Sequence, residues 1–256
     1  MTASNDVPGE EVEDLFARNI AFWGKMRQES LAEESVFIGG AGALGCIVAE
    51  ILVRSGIGRI YLTDRGHVDP PDLNRQILYT VNDIGKSKAF TAAERLRSMT
   101  GQTEVVPLAL TIGEADIANV LGGCRGVADC LDNFPSRFAL EDSLTGNMFM
   151  VSGAIRGDYG QLTTVIPGLT CPLRELYKGI RPVHETVPVI PSIVFCIGSL
   201  MAQEILMNIW GEPALLNVLM VAGLSGFFFE RVALSPSSSP SAKPATGTST
   251  HDAPVD

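Results

Sequence analysis

The chain has 256 residues, 46% of them hydrophobic, with 19 basic side chains against 29 acidic ones and a formal net charge of -10. This length can bury one substantial core, and the negative balance would repel a polyphosphate backbone, which argues against nucleic acid as the main partner. Five cysteines (Cys46, Cys124, Cys130, Cys171 and Cys196) form no C-x-x-C pair, so reduced thiols are expected, with neither a disulfide framework nor a tetrahedral zinc site.

Met1 to Asp14 is acidic and has no basic stretch followed by an apolar run; it does not read as a secretory signal, and a cytoplasmic location is expected. Val12, Leu15, Phe16, Ile20 and Trp23 recur at spacings of three and four, predicting a helix from Val12 to Arg27 and an N-terminal helical region over 1–34. Ser35 to Ile38 is a short apolar strand that runs into Gly39-Gly40-Ala41-Gly42-Ala43-Leu44-Gly45. Cys46 to Ser55 then has the small and branched residues of a helix packed on a sheet. A second strand over Arg59 to Thr63 closes on Asp64, followed by a helix from Lys86 to Ser98 and a third strand over Thr103 to Leu110. Gly126 to Leu131 and Met148 to Ser152 predict further strands, with a helix around Phe138 to Leu144 between them. This alternation implies an α/β fold, a doubly wound, Rossmann-like, mostly parallel sheet with helices on both faces.

Beyond Gly160 the pattern changes. Gln161 to Ile166 predicts another strand, Leu169 to Pro188 a loop, and Pro191 a buried helix that runs to Trp210. The longest apolar stretch, Val187 to Met201, is shorter than a bilayer span and soon meets Gln203 and Glu204, so no membrane association is expected. Asn217 to Val221 and Gly226 to Val232 can pair as terminal strands. From Ser235 onward Ser, Pro, Ala and Thr dominate without periodicity, which predicts a disordered tail over 235–256.

The chemistry concentrates at four places. Gly40, Gly42 and Gly45 fit G-x-G-x-x-G between a strand and a helix, where missing side chains let backbone N–H groups and a helix N-terminus approach phosphate. Asp64, at the end of the second strand, is placed to accept hydrogen bonds from ribose hydroxyls. These two features suit NAD and ATP alike. Arg75 and Lys88 favour ATP, because a triphosphate losing pyrophosphate needs cations on its oxygens, whereas a nicotinamide cofactor has no general need for them. Finally, Asp132-Asn133 follows the strand expected beside the first one at the switch point, where Asp132 can hold magnesium on the phosphates. Both residues also suit a helix N-cap, and for Asn133 that is the alternative reading.

Together, Ala17-Arg18-Asn19-Ile20, the glycine loop, Asp64, Leu73-Asn74-Arg75-Gln76, Lys88, Asp132-Asn133 and Gly153-Ala154-Ile155 resemble the ThiF, MoeB and HesA group of ubiquitin-activating-enzyme-like adenylyltransferases. The resemblance runs from about Arg18 to Trp210. Asp129-Cys130-Leu131-Asp132-Asn133 and Gly160-Gln161-Leu162-Thr163-Thr164-Val165 are most similar to the HesA-like branch. The resemblance implies an ATP-binding adenylyltransferase domain over 35–234 that adenylates the C-terminal glycine carboxylate of a ubiquitin-like sulfur carrier, or a small carboxylate. It further implies that Asn74 and the glycines help bind the nucleotide, Asp64 holds the ribose, Arg75 and Lys88 the phosphates, and Asp132 the magnesium. Arg18 would reach the triphosphate of the neighbouring subunit in a homodimer.

Three departures bear on this transfer. Asp72 stands where the family usually has the first Asn of Asn-Leu-x-Arg-Gln, which brings a negative charge near the phosphates. The zinc-binding C-x-x-C pairs of many relatives are missing, and no zinc is expected. Pro172 to Pro188 contains no cysteine, leaving Cys171 at its edge as the candidate for any thiol chemistry, while Cys196 is expected in the core. His67 and His184 lack partners at ligand spacing and are expected in ordinary surface or loop roles. Two rival readings are an NAD-dependent oxidoreductase, which leaves Arg75, Lys88 and Asp132 without a task, and a catalytically silent scaffold, for which Asp72 is the hint.

Overall fold

The computed structural model describes residues 15–113, 117–180 and 187–235. Branched and aromatic residues favour the pleated backbone in β1 (Ser35–Gly39), β2 (Arg59–Thr63) and β3 (Glu104–Leu108). With β4 (Gly126–Asp129) and β5 (Phe149–Arg156) they form a parallel block in the order β3-β2-β1-β4-β5. An antiparallel extension then adds β6 (Tyr159–Val165), β7 (Val218–Gly223) and β8 (Phe228–Ala233), giving eight strands.

The period-two alternation of the strands decides which helix layer each side chain meets. In β1, Val36 and Ile38 join a core shared with α3 (Ala43–Ser55), α4 (Lys88–Thr100) and α8 (Pro191–Ile209), while Phe37 points into the opposite core. That second core includes Leu121 from the short α5 (Ala118–Leu121), Leu140 from α6 (Phe134–Asp142) and Leu173 from α7 (Leu173–Leu176). The expected doubly wound architecture therefore holds, with helices on both faces.

Several boundaries differ for local reasons. The N-terminal helix breaks at Gly24, whose φ of 86° leaves the helical region, into α1 (Ala17–Trp23) and α2 (Lys25–Glu33). Val12 lies outside the described residues, as do His184 and the tail beyond Ser235. Helix α6 starts earlier than its apolar spacing suggests, because Asn133 Oδ1 accepts from Ser136 N at 2.9 Å and Pro135 occupies the first turn. Strand β5 continues four residues further than expected, to Arg156, since β6 folds back on it and pairs with residues from Met150 to Arg156. The stretch expected to be a loop contains the short α7.

Helix α8 has the length and apolarity of a bilayer span, yet Ile193, Val194, Ile197, Met201 and Ile205 are buried against α3 and the sheet. Gly198 allows the approach to α3: a Cβ there would lie 2.6 Å from Ile47 Cβ. Near the end of α8 sits a buried carboxyl group that ties three elements together. Glu204 Oε1 accepts from Thr164 Oγ1 of β6 at 2.7 Å, and from Leu215 N at 2.9 Å and Ala214 N at 3.1 Å on the approach to β7.

Removing that acceptor strands buried donors. Glu204→Ala is expected to cost about 3 kcal/mol or more in urea-induced unfolding, and Glu204→Gln, which keeps one carbonyl oxygen, less than about 1.5 kcal/mol. Equal, small losses for the two variants would show that solvent serves these donors as well as the side chain does.

Candidate active site

The turn from β1 to α3 is built around two glycines. Gly40 has φ of 100°, and a Cβ there would come within 2.9 Å of Cys130 O. A Cβ on Gly45 would lie 1.8 Å from Gly40 O, so the first turn of α3 rests directly on the loop backbone. Gly42 faces the other way: a Cβ there would meet only Gln76 Nε2, at 3.9 Å. No side chain caps α3, and Gly42, Ala43 and Leu44 line an open cleft of 580 Å³. An uncapped helix start facing empty space suits an anionic ligand.

Asp64, Arg75, Lys88 and Asp132 line the same cleft, with Gly40 and Gly42. The topology causes this convergence. Strand β1 lies between β2 and β4, so the ends of all three strands open beside the glycine loop. Asp64 also braces the loop, Oδ2 accepting from Ala41 N at 2.9 Å and Oδ1 from Gly66 N at 2.7 Å. Gly45 stands behind the wall as a packing residue. Asn74 is exposed outside the lining, where its Oδ1 accepts from Arg75 Nη1 at 2.8 Å and helps to aim that guanidinium. Arg18 is exposed on α1 and is not part of this cleft.

Asp132 is exposed at the cleft wall, with Oδ1 accepting from Asn133 Nδ2 at 3.1 Å. Among the described residues no three His, Cys, Asp or Glu side chains cluster as a metal cage. A single open carboxylate fits magnesium, which keeps several waters and takes its other ligands from phosphates. Asn133 serves as the N-cap of α6.

Arg137, four residues beyond Asn133, has no role that its sequence neighbours assign. It is buried and donates through Nη1 to Asp129 Oδ2 at 2.8 Å and Ser152 Oγ at 3.3 Å, and through Nη2 to Gly153 O at 2.8 Å and to Leu131 O. Burial works against its charge, but the Asp129 carboxylate outweighs it and keeps the guanidinium cationic. This arginine fixes the chain between β4 and α6, and so the place of Asp132. Its signal in the sequence was a lone arginine one turn past the cap residues Asp132-Asn133, with nothing nearby in the chain to name Asp129 and the Gly153 carbonyl as its partners.

The cysteines are not poised as nucleophiles. Burial pushes Cys46 up to about 12 and Cys130 well above the usual thiol range. Burial also raises Cys171, with Glu175 and Glu141 adding to the effect, and its N–H donates to Asn217 Oδ1 at 2.9 Å away from the cleft lining. Cys196 is only half-buried, a correction to its expected core position, because it lies beside outward-facing Phe195 on α8. His67 is exposed.

The strap that carries Asp72 and Arg75 is anchored at Asp83. Burial alone would raise this carboxyl, but donors from Thr80, Lys86 and Arg95 hold it down at about 2. A carboxylate whose folded pKa is depressed contributes stability above the unfolded value and loses it as pH falls through the folded one. Asp83→Asn should therefore lower Tm at neutral pH by at least about 2 °C and flatten the fall in Tm between about pH 4 and pH 2. Superimposable acid limbs for the two proteins would remove Asp83 from the acid response.

The chain is similar to the sulfur carrier protein ThiS adenylyltransferase of Bacillus subtilis, 38% identical over 151 residues that cover 57% of this chain and 45% of that protein. It is also similar to the sulfur carrier protein adenylyltransferase of Thermus thermophilus, 32% identical over 220 residues that cover 80% of each. It thus spans less than half the length of the Bacillus relative. The fold is like that of E. coli MccB determined with ATP, with a TM-score of 0.74 and 21% identity over 92% of this chain and 76% of that one. The ThiF family model matches residues 16–242, from α1 through the last strand, and the chain belongs to the ThiF family.

Proposed function

We propose that this chain activates a carboxylate by transferring AMP to it from ATP, and that the carboxylate is the C-terminal glycine of a ubiquitin-like sulfur carrier. The observation that carries the reading is the convergence of Arg75, Lys88 and Asp132 on an uncapped, glycine-rich helix start in one cleft. The names of the Bacillus and Thermus relatives support the choice of carrier.

In the reaction a carboxylate oxygen attacks the α-phosphorus of ATP. A new P–O bond forms to the acyl group, the bond to the bridging oxygen breaks, and pyrophosphate leaves with that electron pair. The glycine loop and the start of α3 receive the phosphates through backbone N–H groups, and Asp64 faces the ribose. Arg75 and Lys88 meet the charge that grows on the departing oxygens. Magnesium, held by Asp132 and the phosphates, would supply further shielding of the same charge. Holding the two reactants in line accounts for much of the acceleration. A sulfur nucleophile from a partner then takes the acyl group and releases AMP.

The same reading includes a homodimer in which Arg18 serves the opposite site. Its support is the exposed apolar side chains of the same region: Phe22, four residues after Arg18 on α1, and Met26 on α2 are 87% and 84% exposed, apolar surface that a second copy would cover.

Exchange of labelled pyrophosphate into ATP tests the reaction. It is expected only when a carrier protein with a free C-terminal glycine is added, and Asp132→Ala should reduce it on the order of 100-fold while leaving the circular dichroism spectrum unchanged. Undiminished exchange in that variant would remove the metal role. A second experiment addresses the shared site, using Arg18→Ala and Asp132→Ala chains that are each nearly inactive. Allowed to exchange subunits, they should recover roughly a quarter of the wild-type sites, since half the dimers are mixed and each mixed dimer rebuilds one site of two. No recovery, or a fully active monomer, refutes the sharing of Arg18.

A further inference from the structure

Asp72 is buried at 7% exposure on the floor of the cleft, among the groups assigned to the phosphates. Its Oδ2 lies 2.9 Å from Lys88 Nζ and accepts from Asp69 N at 3.0 Å. Its Oδ1 accepts from Gln76 Nε2 at 2.6 Å and lies 3.7 Å from Arg75 Nη2. Two of these neighbours, Arg75 and Lys88, are the cations that the adenylation reading gives to the triphosphate. The other two are a backbone amide and a buried side-chain amide, which pin the carboxylate so that it cannot swing away when a ligand enters.

The charge balance of the cleft follows from this arrangement. Arg137 is already committed to Asp129. Among the other described lining residues, the three cations Arg65, Arg75 and Lys88 are balanced in number by the three carboxylates Asp64, Asp72 and Asp132. A free triphosphate, with its full negative charge, gains little from such a surface and must approach Asp72 closely to reach Lys88. The same triphosphate carrying a divalent cation brings the missing positive charge with it.

We propose, on the basis of the adenylation reading, that Asp72 is a specificity-determining residue. It acts as a fixed internal counter-ion for Lys88 and Arg75, and it makes the cleft select metal-complexed ATP over the free anion. The carboxylate stays on Lys88 when nucleotide binds, so the lysine is shared between Asp72 and a phosphate oxygen, and the divalent cation offsets what the carboxylate withdraws. An asparagine at this position would keep an acceptor for Asp69 N and lift the selection. The new amide nitrogen would then stand against Gln76 Nε2, and turning the Gln76 amide over presents its Oε1, now buried without a partner, to that donor, so Asp72→Asn should fold normally.

Isothermal titration with ATP decides the matter, run once with excess magnesium and once in EDTA. Wild-type protein should bind at least about 30-fold more weakly in EDTA. Asp72→Asn should bind ATP in EDTA at least about tenfold more tightly than wild type while changing affinity for the magnesium complex by less than about threefold. Asp72→Ser, which also removes the charge but supplies a shorter side chain, should narrow the same gap. The proposal is overturned if both variants keep the wild-type gap, or if both lose affinity for the two forms equally, the mark of a merely structural carboxylate. Wild-type protein that binds the two forms alike also overturns it, and leaves adenylation standing. Failure of wild type and variants to bind ATP in either form would instead sink the adenylation reading, and this proposal with it.

Discussion

The contact between the Gly40 carbonyl and Gly45 is the constraint on which the rest of the site depends. With no side chain at Gly45, α3 begins close against the end of β1, where a Cβ would overlap the Gly40 oxygen at 1.8 Å. The helix start is thereby held at the point where β1 lies between β2 and β4. Any outward shift of α3 would separate its uncapped N-terminus from Asp64 on one side and from Asp132 on the other. Gly40 adds a matching requirement against the Cys130 carbonyl, so the phosphate loop and the loop after β4 are fitted to each other. Backbone proximity, enforced by missing side chains, thus makes one cleft of residues contributed by distant parts of the chain.

Around that backbone the protein arranges its charges in buried, multiply bonded groups. Arg137 with Asp129 secures the far wall, Asp83 with Arg95 and Lys86 secures the strap after β2, and Asp72 with Lys88 lies at the floor. Charges removed from water need several partners each to offset their desolvation, and here each set of partners also fixes a cleft-lining segment. Stability and site geometry therefore rest on the same contacts. Glu204 plays a comparable part away from the chemistry, joining α8 to the antiparallel half of the sheet.

The two halves of the sheet have different tasks. The parallel block brings strand ends to the nucleotide cleft, as the doubly wound order requires. Beyond β5 the antiparallel strands lead away from it, and β8 is exposed along its length, with Phe228 and Phe229 on its surface. The cleft nonetheless borders this half through Ala154 and Ile155, in the stretch of β5 that pairs with β6, and through Tyr177 and Val189.

Much of this was legible in one dimension. The alternation of strand and helix, the glycine loop, Asp64 at the end of β2, and the pairing of Arg75 with Lys88 all depend on local spacing and residue chemistry, which a linear pattern carries directly. Asp132 could be brought to the glycine loop because sheet order in a doubly wound fold is narrowly restricted. The helix limit at Gly24 was less legible, because a backbone angle decides that boundary instead of the apolar period, whereas Asn133 could be read as a cap from its residue type and the proline after it. What only the tertiary structure decided were the partnerships across many residues: Arg137 with Asp129 and the Gly153 carbonyl, Glu204 with the approach to β7, Asn74 turned outward behind Arg75, and Asp72 locked onto Lys88. A sequence specifies which charges exist and roughly which strand end carries them. Whether such a charge stays free for a ligand or is taken by a neighbour depends on a few ångströms of packing, because the energy of a buried ion pair is set by distance and desolvation that emerge only when separate segments meet.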